Sequence, residues 1–140
     1  MEREIKFRGK SNGRWVYGHY YNNKSYAVNT DYIVSDVGKT DGEHFVVDGS
    51  TLGEFTGLFD KNGKEIYEGD VVRCYHFTDR FKKKRYLHHT VKWDEEKALF
   101  KFVSSDSKEE SLKNGTCMAW VYMKNSKEIE IIGNIHEDKK

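Results

Sequence analysis

The chain has 140 residues, of which 36% are apolar, 34% charged and 14% aromatic, and its formal net charge is +1. That length can bury a core without disulfides or a structural metal, and the aromatic content excludes a disordered chain. Near balance between 24 basic and 23 acidic residues excludes the uniformly basic surface of a nucleic-acid coat and the acidity of a DNA mimic, so any nucleic-acid contact has to be local.

Short alternating apolar runs bounded by Gly, Asn, Asp and Ser, with 12 Gly and no Pro, predict an all-β or mainly β chain of short antiparallel strands. The first expected strand covers residues 4–8, with Ile5 and Phe7 on one face; it breaks at 9–13 and resumes at 15–21 as a hairpin. Further strands are expected at 25–28, 32–35 and 44–47, with a loop at 38–42. Residues 55–59 and 64–67 read as strands around a tight turn at 60–63, where Asn62 and Gly63 supply positive backbone angles. A Glu68-Gly69-Asp70 corner then leads into a strand at 71–77. A hairpin is expected from 90–93 and 99–103, closed by residues 94–97, with Val91 and Trp93 on one side. Residues 104–115 read as a polar loop, 116–123 as a strand, and 128–135 as a last strand bulged at Ile131, Ile132 and Gly133.

With these segments in place, four of them carry a resemblance: REIKFR at 3–8, WVYG at 15–18, FTGLFDKNGKEIYEGDVVR at 55–73 and EIIGNIHE at 130–137. In that order and spacing the chain resembles the YopX family, small proteins encoded largely by bacteriophages and prophages. The resemblance implies an all-β fold whose C-terminal part, from about Glu54, is similar to a small SH3-like barrel. It also implies one YopX-like unit over 1–140, with a subdivision into 1–53 and 54–140. No catalytic residue comes with it. His136 stands where the family pattern has an aromatic, and residues 22–51 and 86–123 are this chain's own.

Chemical motifs are sparse. Gly38, Lys39 and Thr40 imitate the end of a phosphate loop, but Ile33 stands where its first Gly belongs. A calcium loop from Asp60 fails at Lys64 and Glu65. Cys74 and His76, two apart on a strand, together with His88 and His89 are the weak candidates for a metal, without finger or knuckle spacing. Cys117, in an apolar segment, reads as an inert thiol, and Asp94, Glu95 and Glu96 sit at an expected turn, in water. No catalytic constellation emerges, and neither enzyme activity nor a cofactor is expected. Trp15, Tyr17, Tyr20, Tyr21 and Tyr26 read as a packed sheet face or a binding surface.

One local charge feature stands out: Arg80, Lys82, Lys83, Lys84 and Arg85, interleaved with Phe81 and Tyr86. Cations neutralise phosphates and aromatic rings stack on unpaired bases, so this run is the candidate nucleic-acid contact. Charges directly after Met1, the lack of an apolar run long enough for a signal or a membrane span, and two unpaired cysteines predict a cytoplasmic protein, in the bacterial host of a phage. The expectation is a non-enzymatic module that binds an unknown protein partner or its own copies, with nucleic-acid binding through residues 80–86 as the alternative and no membrane contact.

Overall fold

In the computed structural model, which describes residues 4–25, 27–35, 42–104 and 115–137, the first alternating run becomes a hairpin of β1 (Phe7–Ser11) and β2 (Arg14–Lys24). It turns on Asn12 and Gly13, both at positive φ, so β1 extends through Gly9 where a break is expected. The described chain is antiparallel β throughout, apart from one short helix and a 3-10 turn. It divides into two compact units, Met1–Gly57 and Leu58–Lys140.

In the first unit β2 pairs with β1 as far as Gly18 and then with β3 (Asn29–Ser35) from His19 onward. β4 (Glu43–Phe59) makes the reverse exchange, pairing with β3 up to Val47 and with β1 from Asp48. The four strands therefore close in a ring in which each has two partners. Gly18 stands at the β2 exchange with φ +155°, where a methyl group would overlap the Val34 carbonyl, so only glycine lets the strands approach this closely. Ile33, Val47 and Phe55 are buried in this unit.

In the second unit β5 (Glu65–Tyr67) pairs with β4 across the turn at residues 60–64. The chain then forms β6 (Asp70–Thr78), β7 (Lys84–Asp94), β8 (Leu99–Ser104), β9 (Thr116–Cys117), α1 (Met118–Asn125), the 3-10 turn Ser126–Glu128 and β10 (Glu130–Asn134). The sheet order is β10-β6-β7-β8-β9. Alternation puts Val72 and Cys74 of β6, Val91 of β7, and Phe100 and Phe102 of β8 on one face, where they pack with Ile66, Met118, Val121 and Ile129.

The family-like segment at 55–73 spends its polar residues on this frame. Asp60 is 6% exposed, and its carboxylate accepts the amides of Asn62 at 2.8 Å, Lys64 at 2.9 Å and, from β10, Ile131 at 3.1 Å. Asp70 accepts the Tyr67 amide, and Gly69, at φ +91°, donates its amide to Val91 and accepts that of Ile135. These residues are structural.

Several expectations are corrected. Of the strand expected at 25–28, Tyr26 lies outside the described residues, and the described ones, Ser25, Ala27 and Val28, are not in a strand; Ser25 and Val28 exchange backbone hydrogen bonds. The strands expected at 44–47 and 55–59 are parts of one continuous β4, because the ring needs a strand long enough to serve both β3 and β1. In the 60–64 turn only Gly63, at +80°, has a positive φ; Asn62 does not. The strand expected at 116–123 survives only as β9, and the chain continues as α1. Buried Met118 and Val121 are three residues apart and share one helix face against the sheet, and a short apolar run does not by itself distinguish that from a strand. Register does slip between Ile131 and Gly133, leaving Ile132 outward and 47% exposed as the expected bulge residue. The loop at 38–42, apart from Gly42, and most of that at 104–115 lie outside the described residues.

Asp60→Ala leaves three amides without their acceptor, and is expected to lower the unfolding free energy by about 3 kcal/mol in urea denaturation. An unchanged midpoint would mean that the backbone bonds of the turn suffice.

Candidate nucleic-acid interface

β6 and β7 pair from Val71 opposite Thr90 to Thr78 opposite Lys84, which carries the hairpin past the last core residues. Its end is exposed on both strands: His76, Phe77 and Thr78 on one, Lys84 and Arg85 on the other. The register shift between Tyr75 and Phe77 turns the strand here, and Phe77 is left 49% exposed. Phe81, at the tip, is 68% exposed. The basic run is therefore not one loop: residues 80–83 form the turn, and Lys84, Arg85 and Tyr86 belong to β7.

Asp79 builds that turn. Its Oδ1 accepts the amides of Phe81 at 2.9 Å and Lys83 at 3.0 Å, while Arg85 donates to Oδ2 through Nε and Nη2. The Lys83 amide, then Arg85 and the Phe81 amide, hold the Asp79 carboxyl below its ordinary range. Lys82 takes the left-handed conformation at φ +60°. Arg85 is thus neutralised by Asp79, and Lys84 is paired with Glu128 at 2.7 Å. Among the described residues Lys82 and Lys83 have no carboxylate partner, and Arg80 lies over the Phe81 ring at 4.9 Å.

Behind the tip, direct cross-strand pairing sets Tyr75 nearly perpendicular to Tyr86, at 73°, ring centroids 6.2 Å apart. Arg73, one position further in on the same outer face, stacks over Tyr86 at 4.8 Å and donates to Glu130 at 2.8 Å; Lys61 also reaches Glu130. Lys84 lies over Tyr75 at 5.7 Å. The end of α1 and the 3-10 turn bring Lys124, Lys127 and Glu128 alongside, and an open groove of about 480 Å³ lies between them and Tyr75. Sequence reading missed this second half of the site. Lys124 and Lys127 are about forty residues from the hairpin, and the packing of α1 against β8 and of the 3-10 turn against β6 places them.

The candidate metal ligands are not brought together. Cys74 and His89 face the buried side of the sheet, His88 lies opposite Arg73 on the outer side, and His76 is in the irregular stretch against Phe77. Burial pushes the Cys74 thiol up to about 12, unfavourable for a thiolate ligand. Among the described residues no group of three or more His, Cys, Asp or Glu is placed to hold a metal ion. Asp94 closes its turn by accepting the Lys97 amide and the Lys101 ammonium. Of the aromatic set in the first unit, Trp15 lies under Arg8 and Lys10, Tyr17 is 44% exposed, Tyr20 donates to Asp31, and Tyr21 stacks on Tyr32. Tyr26 and the side chain of Cys117 lie outside what is described.

A family model described as YopX protein matches residues 6–140. The chain belongs to the YopX family. No curated protein matches it. Among the described residues no helix is long and apolar enough to cross a membrane. Within the YopX chain, two of the four segments that carry the resemblance, 55–73 and 130–137, supply the frame around Asp60, Gly69 and Asp70, whereas the tip of the β6–β7 hairpin and the end of α1 lie outside all four.

Because the Asp79 carboxyl is held low in the folded turn, its stabilisation is complete above the unfolded-state value and is lost as pH falls through the folded one. Amide-exchange protection at Phe81 and Lys83 is expected to stay constant from neutral pH down to the ordinary carboxylate range and to fall below it. Asp79→Asn should remove that dependence; a flat profile in the unaltered protein would place the stability of the turn elsewhere.

Proposed function

We propose that this YopX protein is a non-enzymatic nucleic-acid-binding module of phage or prophage origin, acting in the cytoplasm of a bacterial host through the tip of its β6–β7 hairpin. The observation that carries the reading is segregation of charge. Among the described residues seven cations, Arg80, Lys82, Lys83, Lys84, Arg85, Lys124 and Lys127, share the hairpin end and its groove with two carboxylates, Asp79 and Glu128. The surplus here exceeds the +1 of the whole chain, so the remainder is net negative. Such a separation orients a polyanion toward one face and repels it from the others. Exposed Phe77 and Phe81 among the cations supply rings for base stacking, which a loop carrying Lys only for solubility does not need.

The other reading, a module that binds a protein partner or self-associates through edge strands and exposed tyrosines, has less support. In the first unit the Tyr20 and Tyr21 hydroxyls are engaged by Asp31 and His44. In the second, Asp60 and Lys61 bond to Ile131 and Ile129 at the β10 edge.

Labelled DNA and RNA, single-stranded and duplex, are expected to bind with an affinity that falls steeply with salt. The combined change Arg80→Ala, Lys82→Ala and Lys83→Ala removes three phosphate contacts and should lower the slope of log affinity against log salt by about 2 to 3. Binding indifferent to salt, or none at low salt, would overturn the proposal.

A further inference from the structure

The groove beside the hairpin has an arrangement that the phosphate-contact reading leaves unused. Tyr75, Lys84, Lys124 and Lys127 line it, with Asn125 and Ser126 between the last two lysines and Glu128 after them. The volume of about 480 Å³ lies within the roughly 300–1,000 Å³ of small-molecule sites. It can take one nucleotide and not a duplex. Tyr75 is held by its hydroxyl contact with Thr78 at 2.9 Å and by the near-perpendicular Tyr86 ring, 6.2 Å away between centroids. Lys84 now covers Tyr75, drawn to Glu128 at 2.7 Å, and the Glu128 carboxylate also receives the Tyr86 hydroxyl at 3.4 Å.

The geometry points to this groove as the seat of one nucleotide of an unpaired strand, with its base on Tyr75 and its phosphate held by Lys124, Lys127 and Lys84. This rests on the nucleic-acid reading above and adds to it a preference for single strands. A base inside a duplex has both faces covered by its neighbours and cannot stack on a ring that lines a groove, whereas an unpaired base can. Glu128 acts as the internal competitor. Its carboxylate holds Lys84 where a phosphate oxygen would, so an arriving phosphate takes Lys84 from Glu128 and uncovers the ring. The exchange leaves the Glu128 carboxylate beside the phosphate, and the cations Lys124 and Lys127 on the same groove offset that repulsion.

The test compares a labelled single-stranded oligonucleotide with the duplex of the same sequence at one fixed salt concentration, across separate sets of variants of the full chain. Tyr75→Leu is expected to weaken single-strand binding about tenfold and leave duplex binding unchanged, while Tyr75→Phe, which keeps the ring and loses only the Thr78 contact, should retain most of the single-strand preference. Lys124→Ala with Lys127→Ala, both at exposed positions, should also reduce the preference for single strands. Glu128→Gln should strengthen single-strand binding roughly 2- to 5-fold by releasing Lys84. If the Tyr75→Leu and Lys124/Lys127 variants retain the full single-strand preference while the Arg80/Lys82/Lys83 variant loses binding, the groove is overturned and the hairpin reading stands. If the unaltered protein binds neither form, both fall.

Discussion

The buried carboxylate of Asp60 is the constraint on which the second unit depends. It is one side chain serving three backbone amides from two distant stretches, the turn that follows it and the bulged strand β10 near the C-terminus. An acceptor in this position satisfies donors that would otherwise be sealed from water at a cost of about 1–3 kcal/mol each. The same turn bonds to the Ile129 carbonyl through the Lys61 amide, so the start of β10 is held at two points ahead of the bulge. With β10 held, β6 has a partner along its first four residues, from Asp70 to Arg73. Beyond Arg73 the partner ends, and β6 goes on with β7 alone.

That loss of partner shapes the candidate interface. A two-stranded ribbon with no third strand beside it has little core to bury, so its residues answer to turn chemistry and solvent. Asp79 supplies the turn chemistry, and the solvated positions are filled by Arg80, Lys82 and Lys83. Further back the ribbon meets the end of α1 and the 3-10 turn, where Lys84 and Tyr86 find Glu128. Rigid frame and cationic end are joined through one short stretch, Arg73 to Tyr75, whose side chains already alternate between the core and the outer face.

Reading the sequence found the strands wherever alternation was strict and turns were marked. Residues 64–67, 71–77 and 99–103 are of this kind, as is the bulge at Ile132. It failed where a residue's role depends on a partner far along the chain. Residues 44–59 hold two recognisable strand segments, but nothing in them says that β1 and β3 will both claim the same strand. Met118 and Val121 fit a strand or a helix equally until the sheet they cover is known. In the site, the basic run was legible as composition. Which of its cations are neutralised was not, because Glu128 and Asp79 are chosen by register and packing.

Composition, alternation and the spacing of four segments by themselves determined that this chain is a β-rich member of the YopX family with one concentrated basic and aromatic run. Those properties are local, set by side-chain period and by residues that suit particular turns. Tertiary structure alone decided that the run is the end of an unsupported hairpin, that Cys74, His76, His88 and His89 are divided between faces, and that Lys124 and Lys127 complete a groove over Tyr75. Each of these follows from cross-strand register and from the docking of α1, which depend on contacts between residues dozens of positions apart and leave no periodic trace in the sequence.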